Sequence, residues 1–186
     1  MLKITANQII LENTPPFNRK FIKKNQIRQI TGNVAVKKIN DIIRETPLFE
    51  SYEFNKEGLL VKVEKTDYLG KKTDTTIYLV QYSKEGKILE KTEWVGGAFL
   101  TKKFYYENNE LKSMEYYRQS AKTANKIHLF SETFKTVKNT PVEKMIYCYN
   151  ENNQHYKTIT EQYDQYGNLI QRTEKFEVSG KAIVYT

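Results

Sequence analysis

The sequence predicts an all-β fold, an antiparallel meander of repeated β-hairpins that forms an extended, twisted or curved sheet with little helix. Apolar and polar side chains alternate along short runs, such as residues 59–65 and 76–82, as expected for strands. Helical spacing of apolar residues is confined to short pieces near residues 6–11 and 39–45. A turn-like phrase also recurs five times, which indicates that one structural unit is used repeatedly.

The composition fits a folded chain of one domain or two small ones. Of the 186 residues, 47 are Leu, Ile, Val or Phe, so the chain can bury a core. No run approaches the roughly 20 apolar residues that cross a bilayer, so we expect no transmembrane segment. The start of the chain lacks a basic flank followed by an apolar run. We expect a cytoplasmic location if this N-terminus is native, and a periplasmic or cell-surface location if Met1 replaces a removed signal.

The recurrent phrase consists of an aromatic residue, a short polar residue, two polar positions, glycine or a substitute, and an apolar pair. Its five copies occupy residues 54–61, 82–89, 106–113, 149–156 and 163–170. Gly58, Gly86 and Gly167 predict chain reversals that end at positive φ, which glycine adopts without steric cost. In the fourth copy Asn153 stands at this position and tolerates the same conformation. The phrase is therefore a hairpin-turn signature.

The first turn position carries a short polar side chain that is able to accept a hydrogen bond from the backbone two residues on. Four copies have such a residue: Asn55, Ser83, Asn150 and Asp164. The third copy has Glu110 where glycine is expected, and glutamate adopts positive φ only at a steric cost. We therefore predict that Asn109 takes the left-handed conformation there, or that the register shifts by one residue.

The regions outside the five copies complete the predicted organisation. Residues 1–50 form a basic lead-in segment, partly irregular or strand, and residues 51–186 form the repeated β-hairpin domain. An insertion is predicted near residues 118–144, with a loop at its start and a strand over residues 127–137. Two further reversals are predicted at residues 67–70 and 179–180, the second pairing residues 176–178 with residues 182–185.

Two copies of the phrase resemble known repeats. Residues 163–170 read Tyr-Asp-Gln-Tyr-Gly-Asn-Leu-Ile, which resembles the YD (Rhs-like) repeats of bacterial cell-surface and toxin-shell proteins. Residues 104–113 read Phe-Tyr-Tyr-Glu-Asn-Asn-Glu-Leu-Lys-Ser and are similar to a phrase of bacterial MORN-like repeats often labelled as antitoxins. The resemblances cover roughly residues 50–186, although two copies lack the glycine and the spacing is irregular. They imply repeated β-hairpins used for scaffolding or binding, and they transfer no catalytic residue.

Much of the net charge of +8 lies in residues 1–50, which hold nine basic and four acidic side chains. A basic cluster within this segment comprises Arg19, Lys20, Lys23 and Lys24. One interpretation is an arm that docks on an anionic surface such as nucleic acid, lipid headgroups or an acidic partner. The interpretation we favour is a solvated lead-in strand whose Phe21 and Ile22 cap the sheet. Only five of the 30 basic residues are Arg, so we expect no specific nucleic acid partner.

Four aromatic residues are the remaining candidates for partner binding. Trp94, the only tryptophan, precedes an apolar, glycine-containing stretch that ends at Phe99. It is either an aromatic anchor beside a mobile loop or, as we favour, a strand residue in the core with a glycine turn behind it. Tyr105 and Tyr116 either contact a partner or, as we favour, contribute to cross-strand tyrosine ladders on the sheet.

A search for catalytic motifs favours a protein that is not an enzyme and that uses no metal or cofactor. The sequence has no Gly-rich phosphate loop, nucleophile elbow, His-Glu-x-x-His motif or cysteine pair. Cys148, the only cysteine, could act as a nucleophile with His128 or His155. Its place on an alternating run just before a turn instead predicts a small packed hydrophobic residue.

Two functions of different class follow. The first, which we favour, is a non-catalytic β-sheet interaction or scaffolding module, a bacterial accessory subunit or cell-surface repeat protein that binds a partner protein. The second is a small curved β-sheet or barrel that holds a ligand such as a glycan or lipid, or a hydrolase. A closed barrel would favour the second function. Polar residues on both faces of the strands, as at residues 87–93, favour the first.

Overall fold

The computed structural model describes residues 17–70, 72–123 and 125–186, which form one short α-helix followed by twelve β-strands. The helix is α1 (Arg19–Lys24). The strands are β1 (Gln29–Val36), β2 (Arg44–Phe54), β3 (Leu60–Leu69), β4 (Lys72–Tyr82), β5 (Ile88–Val95), β6 (Ala98–Glu107), β7 (Glu110–Ser120), β8 (Lys126–Asn139), β9 (Glu143–Tyr149), β10 (His155–Tyr163), β11 (Leu169–Phe176) and β12 (Ala182–Tyr185).

The twelve strands form one antiparallel sheet in which the order of the strands follows the order of the chain. Each strand pairs with the next because short turns return the chain beside the strand that it has just left. This arrangement confirms the predicted all-β meander with little helix. Among the described strands, the sheet begins at β1 and ends at β12, and it does not close. The barrel considered as an alternative is therefore wrong, since closure requires the first and last strands to pair.

The glycine-containing turns have the predicted conformation. Gly58, Gly86 and Gly167 have φ values of 73°, 85° and 76°, and Asn153 has a φ of 57°. The side-chain oxygens of three first-position residues accept hydrogen bonds from the backbone N–H groups two and four residues on; these residues are Asn55, Asn150 and Asp164. Asn109 adopts a φ of 68°, which confirms the prediction for the third copy. The turns are thus built by local side-chain chemistry.

Two of the predicted reversals differ from the structure in their bounds or in their strand pairing. Strand β3 continues through Leu69, so the reversal predicted over residues 67–70 begins only at Gly70. Strand β12 pairs with residues 172–175, and the predicted pairing with residues 176–178 is wrong. The reason is a wider turn, in which the Phe176 carbonyl accepts a hydrogen bond from Gly180 and the Phe176 N–H donates one to Lys181.

The described residues divide into two compact units. The α1 unit contains residues 17–102 and 117–127, and the C-terminal unit contains residues 103–116 and 128–186. The predicted boundary at residue 50 lies inside β2, and the region predicted as an insertion, residues 118–144, contains β8, which pairs with β9.

In the α1 unit, the segment predicted as a lead-in strand is instead a helix. The Asn18 side chain accepts a hydrogen bond from the Phe21 N–H at 3.1 Å and caps the first turn. Ile22 is buried in one cluster with Tyr52, Phe54 and Val63, and this burial holds the helix against the sheet. Ile22 caps the sheet as predicted, but Phe21 is 58% exposed because it lies on another side of the helix.

The C-terminal unit has a smaller apolar core. Phe134 of β8, Cys148 of β9 and Ile159 of β10 are buried together on one face of the sheet. Two carboxylate side chains, Glu132 and Glu161, are also buried in this unit. Part of this sheet face is therefore filled by charged groups.

Candidate functional site

Trp94 and Phe99 come together in the α1 unit. Trp94 lies near the end of β5 and Phe99 near the start of β6, and their ring centroids are 4.6 Å apart. Between them, Gly96 and Gly97 have φ values of 56° and 78°, which permit a tight reversal. The cross-strand partner of Trp94 is Ile77 of β4. We define the Trp94 patch as Ile77, Leu79, Trp94 and Phe99.

The Trp94 patch lies on the face of the sheet opposite to α1. Side chains alternate between the two faces along a strand, and Tyr78 packs against the core beneath α1. Ile77 and Leu79 therefore point to the other face. The patch is partly exposed, with Ile77 and Trp94 half-buried and Leu79 42% exposed. Trp94 is a strand residue with a glycine turn behind it, as predicted, but it is half-buried and does not belong to the buried core.

Charged side chains border the Trp94 patch on β3. Lys62 is the cross-strand partner of Leu79, and Glu64 is the partner of Ile77. The Lys62 Nζ atom lies 3.0 Å from Glu53 and 3.2 Å from Glu64, so one cation joins two carboxylates. The hydrogen bond to Glu53 raises the pKa of Lys62 above its ordinary value. An apolar, aromatic centre beside a charged rim is the usual anatomy of a protein interface.

Tyr105 and Tyr116, the other aromatic candidates, belong to the C-terminal unit. The Tyr105 hydroxyl donates a hydrogen bond to Glu115 at 2.5 Å, and the Tyr105 side chain is 43% exposed. The Tyr116 ring stacks on Phe130 with centroids 4.0 Å apart, and its hydroxyl donates to Glu132 at 2.6 Å. Tyr116 is thus engaged in contacts within its own unit.

The four basic candidates, Arg19, Lys20, Lys23 and Lys24, all lie on α1 with exposed side chains. Arg19 is fixed at one end of the helix, because its Nε–H donates to the backbone carbonyl of Glu57 at 3.1 Å. Lys23 and Lys24 lie in the last turn, where positive charge interacts favourably with the helix dipole. The structure therefore places the predicted basic cluster on one small helix.

Cys148, the only candidate nucleophile, is completely buried in the C-terminal core. Burial raises the pKa of its thiol to about 12, which keeps it protonated at neutral pH. The His155 ring packs against Tyr147 and Tyr149, and the His128 ring bonds with Ser131. This environment confirms the prediction of a packed hydrophobic residue.

A charge network that the sequence interpretation missed lies on the same face as Cys148. It comprises Glu132, Lys157, Arg172, Glu161 and Glu174. The guanidinium of Arg172 lies 2.9 Å from Glu161 and 2.9 Å from Glu174. The Lys157 Nζ atom lies 3.5 Å from Glu174 and 3.9 Å from Glu132. Three carboxylates and two cations thus form one connected network across β8, β10 and β11.

Two tyrosine hydroxyls complete the charge network. Tyr116 donates to Glu132 at 2.6 Å, and Tyr163 donates to Glu161 at 2.7 Å. Burial, together with the neighbouring carboxylates, raises the pKa of both tyrosines. Every buried side-chain polar atom in the described part of the chain has a hydrogen-bond partner. The network is therefore a satisfied structural element.

A sequence signal for the charge network exists. In β10 and β11, charged residues recur with a period of two and share one face with apolar residues, as in Lys157, Ile159 and Glu161. Which of these charges meet depends on the register of the strands from β8 to β11, so the network is not evident from any one strand of the sequence.

Comparison of the chain with protein-family models finds no match, and comparison with curated proteins finds none either. Over residues 17–70, 72–123 and 125–186, no helix is long and apolar enough to cross a membrane. Over the same residues, no group of three or more His, Cys, Asp or Glu side chains is placed to hold a metal ion.

Proposed function

We propose that this protein is a non-catalytic β-sheet interaction module, an accessory or scaffolding subunit that binds a partner protein through the Trp94 patch. The main supporting observation is that Trp94, which is partly exposed on the face opposite to α1, packs on Phe99 and is the cross-strand partner of Ile77. Tryptophan supplies a large rigid contact area and is enriched among the residues that dominate binding energy.

The rim of the Trp94 patch supports recognition of a protein. Glu53, Lys62 and Glu64 provide fixed charges beside the apolar centre. Rim charges of this kind select a partner by complementarity and contribute little to affinity on their own. The partner is therefore expected to present an apolar side chain to Trp94 and a complementary charged group to Lys62 or its two carboxylates.

The experiment first captures partners from the source cells with the tagged chain and identifies them by mass spectrometry. The purified partner is then titrated into the purified chain while tryptophan emission is recorded. Trp94 is the only tryptophan of the chain. If the partner, or a peptide from it, contains no tryptophan, the emission therefore comes from the Trp94 patch alone. We expect a blue shift on binding, because burial removes water from the indole ring.

Variants test the location of the site. Trp94→Ala and Phe99→Ala are expected to weaken binding by about thirtyfold each, the effect of losing a dominant interface residue. Tyr166→Ala is the matched control, since Tyr166 is a 72% exposed aromatic residue on a turn of the C-terminal unit. Equal loss in the control, or no loss in Trp94→Ala, would contradict the proposal.

Two other outcomes would replace the proposal. A purified monomer that hydrolyses an ester, peptide or glycoside, and loses that activity in Cys148→Ala or in a single Glu→Gln variant, is an enzyme. Binding of a soluble oligosaccharide with the same tryptophan blue shift, and no binding of a captured protein, would favour the alternative of a ligand-binding curved sheet.

A further inference from the structure

We propose that the end of the α1 unit that carries α1 is a docking surface for an anionic lipid bilayer. This surface does not include the Trp94 patch and does not depend on the partner proposed above. We define the basic end by its seven cations, which are Arg19, Lys20, Lys23, Lys24, Arg28, Lys56 and Lys84.

The meander brings these residues to one end of the sheet. The turn after β2 and the turn after β4 lie at the same end, because antiparallel strands return to it every second turn. The backbone N–H of Phe54, at the end of β2, donates to the carbonyl of Arg28 at 2.8 Å, so the residue that precedes β1 lies there too. Lys56 and Lys84 occupy equivalent second positions in the two turns.

Close packing holds α1 onto these turns. A Cβ atom added at Gly58 would lie 2.7 Å from the Arg19 carbonyl oxygen and 3.0 Å from the Lys23 nitrogen. The Arg19 guanidinium lies next to Gly86 in the second turn, 3.6 Å from the position of an added Cβ. Because Ile22 is buried in the sheet, the helix presents its lysines outward in a fixed orientation.

The basic end has a strong excess of positive charge. Residues 17–28 contain five basic side chains and no acidic one, and the two turns add two Lys and two Glu. Within the described ranges, none of the seven cations forms an ion pair with a carboxylate. Their charge is thus available to an external anion.

A lipid surface fits this chemistry better than the other anionic partners. Five of the seven cations are Lys, which act as point charges on flexible stems, whereas nucleic acid recognition favours the planar Arg fork. Clusters of four to eight basic residues are typical of sites that bind anionic lipids. Phe21, 58% exposed between Lys20 and Ile22, adds an aromatic side chain that can enter the interface. A bilayer offers both dispersed negative charge and an apolar layer beneath it.

Co-sedimentation of the full chain with vesicles tests the proposal. We expect binding to vesicles of phosphatidylcholine mixed with phosphatidylserine, no binding to pure phosphatidylcholine vesicles, and weaker binding as ionic strength rises. Lys20/Lys23/Lys24→Gln is expected to reduce the partition coefficient about a hundredfold, since each basic residue near the surface contributes about 1 kcal/mol. Phe21→Ala is expected to reduce it severalfold without changing the net charge.

A matched control distinguishes an effect of the basic end from an effect of the net charge of the protein. Lys37/Lys38/Lys72→Gln also removes three positive charges, but from exposed positions at the opposite end of the same sheet. This variant is expected to keep vesicle binding within about threefold. Circular dichroism checks that both triple variants keep the β-sheet signal, and Trp94→Ala is expected to bind vesicles as the wild type does.

Three results would overturn the proposal. The first is no binding of the wild type to phosphatidylserine-containing vesicles. The second is an equal loss in the two triple variants, which would show a response to net charge alone. The third is binding to an acidic polypeptide or to duplex DNA in the absence of vesicle binding, which would assign the basic end to that partner.

Discussion

The two units of this protein each cover one face of their own strands, and they do so in different ways. In the α1 unit, a helix supplies Ile22, which is buried with Tyr52, Phe54 and Val63. In the C-terminal unit, the apolar core is small, and the charge network lies beside it on the same face. The same hairpin repeat therefore accepts either an apolar cap or a connected set of charges, provided that every buried polar atom has a partner.

The units also contain the same ion-pair motif in two environments. Lys62 joins Glu53 and Glu64 on the exposed face of the α1 unit, with side-chain exposures of 30%, 41% and 26%. Arg172 joins Glu161 and Glu174 in the C-terminal unit, with exposures of 19%, 5% and 17%. Burial makes an unpaired charge costly, whereas solvent screens one that stays at the surface. The comparison predicts different responses to the loss of the cation.

The largest effect is expected for Arg172→Met. Removal of the guanidinium leaves the buried carboxylate of Glu161 without its cation, which costs about 3–5 kcal/mol of unfolding free energy. The equivalent change in the exposed motif, Lys62→Met, is expected to cost less than about 1 kcal/mol. Urea unfolding followed by circular dichroism measures both values. Equal losses in the two variants would show that the buried motif is not more important than the exposed one.

The second effect concerns the helix. Ile22→Ala removes the side chain that anchors α1 in the core, and we expect a loss of about 3 kcal/mol, typical of a large-to-small change at a buried position. Ile39→Ala is the control, because Ile39 is 94% exposed and its truncation should change stability by less than about 0.5 kcal/mol. Thermal or urea unfolding compares the two. A loss in Ile22→Ala no greater than in the control would mean that α1 does not stabilise the unit.

The third effect compares equivalent glycines of two repeat copies. Gly58 and Gly167 both have positive φ, so Ala at either position is expected to cost about 1–2 kcal/mol of unfolding free energy. An added Cβ at Gly167 meets no atom within 4 Å, whereas at Gly58 it meets the Arg19 carbonyl. Gly58→Ala should therefore be the more destabilising variant by urea unfolding. The same loss at both positions would show that α1 moves away from the turn without cost.

The fourth effect is absent at neutral pH and develops in alkali. The folded-state pKa of Cys148 is raised from 9.0 to about 12, so its contribution to stability is complete below pH 9 and is lost as the pH rises toward 12. The unfolding free energy of the wild type should fall over this interval more steeply than that of Cys148→Ala. Parallel curves for the two proteins, or rapid alkylation of native Cys148 at pH 9, would contradict a buried, protonated thiol.

Much of the fold could be predicted because its determinants are local. Glycine or asparagine at the end of each turn, with a short polar residue three positions earlier, specifies a reversal whatever the rest of the chain does. The helix at Arg19–Lys24 could not be predicted from periodicity, since six residues contain less than two turns. It forms because Asn18 caps it and Ile22 finds a buried site on β2 and β3.

The site residues were predicted only in part. Trp94 and Phe99 were recognised as aromatic residues around a glycine turn, but the pairing of Trp94 with Ile77 depends on the register of β4 and β5. The sequence likewise identified the lysines of α1 without Lys56 and Lys84, which reach the same end of the sheet from two separate turns. Residues far apart in the chain become neighbours through strand register, and register is a property of the whole sheet.

Local chemistry along the chain was sufficient to specify where it reverses and that its strands follow one another as an antiparallel meander, because backbone conformation at glycine and asparagine depends on immediate neighbours. Assembly of the sheet decided which side chains share a face, which charges are buried together around Cys148, and where α1 docks. These outcomes depend on burial and on distances between strands, and neither quantity exists until the strands have paired.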